Sequence, residues 1–204
     1  MARKARLIKR KKSANSITYK WYQFEKKTTK KFTESQLRMW DTLIFLIRFS
    51  ILAIPLHLII WTGYDFSHII TITSYFTSKL LSVLGTNFFQ IENTFIIKTE
   101  TGTLIADIIR DCSGWKSFLA LFSLIIATRH STIKARTIGI IIGTFAIFIG
   151  NVIRLATTFH LTYLKGLEIF DITHNILWQG GLILLVLAIW LFWLENLAFN
   201  KRYI

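Results

Sequence analysis

The chain has 204 residues, 52% hydrophobic and 18% charged, with a mean hydropathy of +0.46. Soluble domains carry about 25% charged residues, so this chain lacks the polar surface to cover itself in water. Lysine and arginine number 25 against 11 acids, a net charge of +14, and 13 of those cations lie in residues 1–40. The other 164 residues hold 12 cations against 9 acids, too even a balance for a uniformly basic nucleic-acid binder, and no nucleic-acid partner is expected. A single cysteine, Cys112, excludes a secreted disulfide scaffold. Composition predicts an all-α integral membrane protein with a basic leader.

Residues 1–40 have no apolar core and no small-residue cleavage site, so they are expected to be a cytoplasmic leader and not a secretory signal. The run Arg3, Lys4, Arg6, Lys9, Arg10, Lys11 and Lys12 suits anionic lipid. Residues 41–204 read as one transmembrane domain with four apolar segments near the spanning length of about 20 residues. These are 42–61, which contains Arg48 and Pro55, then 113–128, 137–159 and 176–199. The intervening segment 62–111 is predicted to be extracytoplasmic. Within it, Phe66–Leu84 mixes apolar residues with Ser, Thr, His68 and Lys79, which predicts an interfacial or re-entrant helix stopped at Gly85. The β-favouring runs Thr94–Lys98 and Thr103–Ile108, around Thr101-Gly102, predict a small extracytoplasmic β-hairpin.

Charge sets the expected orientation. With both termini cytoplasmic, four spans place Arg129, Lys134, Arg136, Lys201 and Arg202 inside. The opposite loops hold few cations, and Asp65, Glu92, Glu100, Asp107 and Asp111 outnumber them in the first loop. A fifth full span at Phe66–Leu84 would invert the later loops and break the rule.

Under this topology three polar residues share a depth near the outer surface, where ionisable groups at helix ends mark functional candidates. Cys112 opens the second span, within Asp111-Cys112-Ser113-Gly114-Trp115-Lys116-Ser117. Arg154 lies 17 residues beyond Thr137, roughly 25 Å up a core of about 30 Å. His174 opens the fourth span. A thiolate is a nucleophile, and a helix N-terminus, Lys116 and Arg154 are expected to lower the Cys112 pKa. His174 is suited to carrying a proton and Arg154 to holding an oxyanion, with Asn151 one turn before it and Thr158 one turn after. His160 is the rival proton carrier. No ligand spacing suggests a metal, and no cofactor is expected. The residues alone also fit a non-catalytic membrane scaffold or transporter subunit, with Arg154 and Asn151 in a bundle interface.

The sequence Asp111-Cys112-Ser113-Gly114-Trp115-Lys116-Ser117, then Asn151-Val152-Ile153-Arg154, then His174, resembles the exosortase/archaeosortase family of membrane cysteine transpeptidases. The likeness covers about residues 42–199. It implies Cys112 as nucleophile, Arg154 as oxyanion or orienting cation and His174 as proton carrier, with Ser113, Gly114, Lys116 and Asn151 in support. It also implies cell-membrane substrates, which are exported surface proteins with a C-terminal sorting signal of short motif, apolar helix and basic tail. A lipid amine or hydroxyl, or water, would be the acceptor. Many members have more spans than this chain, and the basic leader is no part of the family pattern.

Overall fold

Each of the four apolar segments contains helix in the computed structural model, which describes residues 23–198 apart from 26, 65, 130 and 177–179. The run Arg3–Lys12, Asp65, His130, Trp178, Lys201 and Arg202 lie outside the described residues. Two compact units divide between Leu46 and Ile47.

In the first unit, Thr33 caps a helix start by a reciprocal pairing. Its N–H donates to Gln36 Oε1 at 2.9 Å and its Oγ1 accepts from the Gln36 N–H at 3.4 Å. That helix, α1 (Glu34–Thr62), runs on into the second unit and contains Pro55.

The second unit continues with α2 (Ser67–Val83), ended by Gly85 in the left-handed region at φ 71°. α2 buries one face at helical spacing: Ile70, Thr73, Ser74, Thr77 and Leu81. Three antiparallel strands follow, β1 (Phe88–Ile91), β2 (Thr94–Thr99) and β3 (Gly102–Asp107), paired in sequence order. The expected two-stranded hairpin is therefore a three-stranded meander. Phe88–Ile91 adds a strand that turns back at Glu92-Asn93, with Phe89 opposite Ile96 and Phe95 opposite Ala106. Phe95 and Ile97 point inward by the two-residue alternation and are fully buried.

A 3-10 turn, Arg110–Ser113, leads into α3 (Trp115–Ala127). Then come α4 (Ile133–Lys165), α5 (Glu168–Ile176) and α6 (Leu182–Trp193), which closes with a π turn at Leu194–Ala198. Thr132 caps α4, its Oγ1 accepting from the Ala135 N–H at 3.2 Å. Among the described residues α4 is the one helix long and apolar enough by itself to cross a membrane; Trp115–Ala127 and Leu182–Ala198 are shorter and apolar.

Two buried clusters meet along α4. One joins Leu121, Ile125, Ile147, Val186 and Trp193 from α3, α4 and α6. Glycines bring these helices close: a Cβ on Gly139 would meet Trp193 at 2.3 Å, and one on Gly143 would meet Leu121 at 2.3 Å. The other cluster joins Ile70 and Leu81 of α2, Phe95, Ile97 and Leu104 of the sheet, and Leu155 and Phe159 of α4. Cys112 is a member of this second cluster.

Candidate active site

Arg110–Ser113 winds into a tight turn because two short bonds close it. The Cys112 N–H donates to the Ile109 carbonyl at 2.8 Å, and the Ser113 hydroxyl donates to the Arg110 carbonyl at 2.8 Å. Gly114 then takes φ 77°, a left-handed conformation that suits glycine and lets α3 start in a new direction. Cys112 therefore does not open α3, as the sequence suggested; it sits in its own turn ahead of the helix. Only 9% of it is exposed.

α4 supplies the facing residues. Asn151 is fully buried, and its Nδ2 donates to the Cys112 carbonyl at 2.8 Å. One turn on is Arg154, 7% exposed. The Thr158 hydroxyl donates to the Arg154 carbonyl at 2.9 Å, and the Thr162 hydroxyl to the Thr158 carbonyl at 2.8 Å. The predicted polar stripe of Asn151, Arg154 and Thr158 is thus buried as one face. Arg154 also lines a cavity of about 270 Å³ with Gly150, Ile153, Thr157, Gly181 and Leu185.

His174 lies near the end of α5 and not at the head of the last apolar helix. The stretch read as a loop, 160–175, contains the last turns of α4, which stops at Gly166 (φ 87°), and most of α5. The Leu167 N–H donates to Thr101 Oγ1 at 2.9 Å, tying the start of α5 to the β2–β3 turn. Phe170 packs on the core beside the sheet, and the His174 ring stacks on Phe170 at 5.4 Å and 12°. The rival His160 is engaged elsewhere: its Nδ1 and Thr86 Oγ1 are 2.8 Å apart, which fastens the end of α2 to α4.

Electrostatics links the three. Burial pushes the Cys112 thiol above its ordinary 9.0; the Ile109 backbone and the Arg154 charge draw it partly back, and Asp111 opposes them. Burial pushes His174 below 6.5, and the Arg154 charge lowers it further, against Asp171. Arg154 acts on both partners. The expected low-pKa thiolate is corrected here, because burial outweighs the neighbouring cation. Lys116 does not supply positive charge to Cys112 either. It pairs with Asp111 at 3.1 Å, and both Lys116 and Arg110 lie over the Trp115 ring at 6.0 and 5.9 Å.

Two contributors escaped the sequence reading. Trp115 is 2% exposed and stacks on Phe66, just ahead of α2, at 5.1 Å. On α2 itself, Thr73, Ser74 and Thr77 are buried with hydroxyls that have no hydrogen-bond partner among the described residues. The only sequence signal for that face was its helical spacing.

A buried thiol, a buried guanidinium and a half-buried imidazole, drawn from a turn and two helices, make up the candidate thiol site. The chain belongs to the transmembrane exosortase (Exosortase_EpsH) family, whose model matches residues 33–194. No curated protein and no solved structure matches it.

Proposed function

We propose that this exosortase-family membrane protein is a multi-pass cysteine transpeptidase that cleaves C-terminal sorting signals of exported surface proteins at the extracytoplasmic face. The observation that carries the reading is the Asn151–Cys112 hydrogen bond, which draws the cysteine turn onto the same stretch of α4 as Arg154. Family membership supports the chemistry. The charge distribution supports four spans with both termini cytoplasmic.

The steps follow from the groups. His174, whose pKa is lowered by partial burial and by the Arg154 charge, takes the proton from the Cys112 thiol as Sγ attacks the scissile carbonyl carbon. The tetrahedral oxyanion that forms faces the fixed donors of Arg154. Collapse breaks the C–N bond, His174 returns its proton to the leaving amine, and a thioester remains on Cys112. An acceptor amine or hydroxyl, or water, then attacks the thioester and gives its proton to His174; the C–S bond breaks, and His174 passes that proton to Sγ to restore the thiol. No diffusible cofactor takes part.

The substrate's apolar helix would pack laterally against the bundle, level with the cysteine. The test is processing of a membrane-anchored substrate ending in a short motif, an apolar helix and a basic tail, with wild type and Cys112→Ala matched for abundance in membranes. Loss of processing in the variant is the expected result. Full processing would leave a non-catalytic scaffold or transporter subunit as the better reading. A lipid-modified product C-terminus would identify a transpeptidase, and a free carboxylate a plain protease.

A further inference from the structure

Asn151 is 39 residues from Cys112 in sequence, yet its side-chain amide reaches the Cys112 backbone without contact with solvent. Cys112 is next to last in the 3-10 turn, where carbonyls run out of partners within the turn itself. Asn151 Nδ2 fills that gap for Cys112. The other half of the amide, Oδ1, is buried with no hydrogen-bond partner among the described residues. A buried acceptor left this way costs stability, and leucine would remove that cost only by stranding the Cys112 carbonyl in its place. What the asparagine supplies, and leucine cannot, is the one bond to Cys112.

Gly114 completes the arrangement. Its left-handed φ of 77° turns the chain out of the 3-10 segment directly over Asn151. A Cβ there would lie 3.3 Å from Asn151 Cγ and 3.4 Å from Nδ2, pressing on the amide that holds the turn. The cysteine turn and α4 are therefore fitted to each other at one point, one helical turn from Arg154.

We propose that Asn151, seated against Gly114, is a positioning residue that fixes the Cys112 nucleophile relative to Arg154. It touches neither substrate nor the reacting atoms and acts through the Cys112 carbonyl. Without it the turn keeps its own closing bonds to Ile109 and Arg110 but loses its tether to α4. Sγ is then no longer held where Arg154 faces the oxyanion. The inference rests on the acyl-transfer reading above.

The experiment uses the full chain in membranes and compares wild type, Asn151→Leu and Asn151→Asp. Three quantities are read: processing of the sorting-signal substrate, thermal midpoint in detergent, and the rate at which iodoacetamide alkylates Cys112. Turnover should fall roughly 10- to 100-fold in both variants with KM little changed, as a displaced reacting group predicts. Asn151→Leu exchanges one unpaired buried acceptor for another, so its thermal midpoint should stay near that of wild type, and Cys112 should stay slow to alkylate because its burial is intact. Turnover within about twofold of wild type in either variant overturns the proposal. So does a loss in both that tracks a fallen midpoint and rapid alkylation, which would make Asn151 a folding residue. Failure of the underlying reading looks different, because Cys112→Ala would then process substrate normally. An inactive Cys112→Ala beside a fully active Asn151→Leu would sink this inference alone.

Discussion

In the proposed mechanism Cys112 starts as a thiol, because the burial it shares with Leu155 and Phe159 opposes ionisation. With His174 depressed as well, the resting pair is neutral over the window between a histidine value under 6.5 and a thiol value over 9.0. Turnover should therefore hold across neutral pH and fall only when acid protonates His174, below the ordinary histidine range. Asp171→Asn removes a charge that raises the His174 value, so its acid limb should move to still lower pH. Cys112 alkylation should climb steadily with pH and still be climbing at pH 9.0, with no plateau near neutrality. A plateau there, or an acid limb above 6.5, would mean a preformed thiolate–imidazolium pair instead. The three candidate residues stand out in the sequence because each is a costly polar group near the end of an apolar segment. The signs of their interactions were not legible there. Lys116 and Asp111 are five positions apart, and the turn at Gly114 that brings them together has no signature beyond the glycine itself.

Among the elements, α4 is the spine, and its glycines decide how closely the neighbouring helices approach. Trp193 lies flat where Gly139 has no side chain, and its Nε1 donates to the Ala135 carbonyl at 2.8 Å. Gly139→Ala should cost about 1–3 kcal/mol, because a methyl 2.3 Å from the indole overpacks a rigid ring and threatens that hydrogen bond. Thermal unfolding in detergent checks it, and an unchanged midpoint would show that α6 can shift freely. The apolar segments were readable from hydropathy. Gly166 was the available signal for the true end of α4. β1 was missed because Phe88–Ile91 is only four residues long and takes its register from β2.

For the whole molecule, the length of α4 bears on how the chain sits in a bilayer. Its 33 residues extend roughly 50 Å, against a hydrocarbon core of about 30 Å. If Lys134 and Arg136 hold the start of α4 at the inner headgroups, about 20 residues bring the helix to the far side near Arg154. The last turns, from Phe159 to Lys165, then stand clear of the core, where the sheet packs on Phe159 and Phe95 meets it at 5.3 Å. Cys112, Arg154 and the sheet are then all reached from outside the cell. Single cysteines placed in a Cys112→Ala background test this. Glu100→Cys, at the exposed turn between β2 and β3, should react with a membrane-impermeant maleimide on intact cells. Lys134→Cys, exposed at the other end of α4, should react only after lysis. The reverse pattern would turn the charge argument over. It would put the thiol site on the side where exported proteins have yet to arrive, and the sorting reading would lose its substrate.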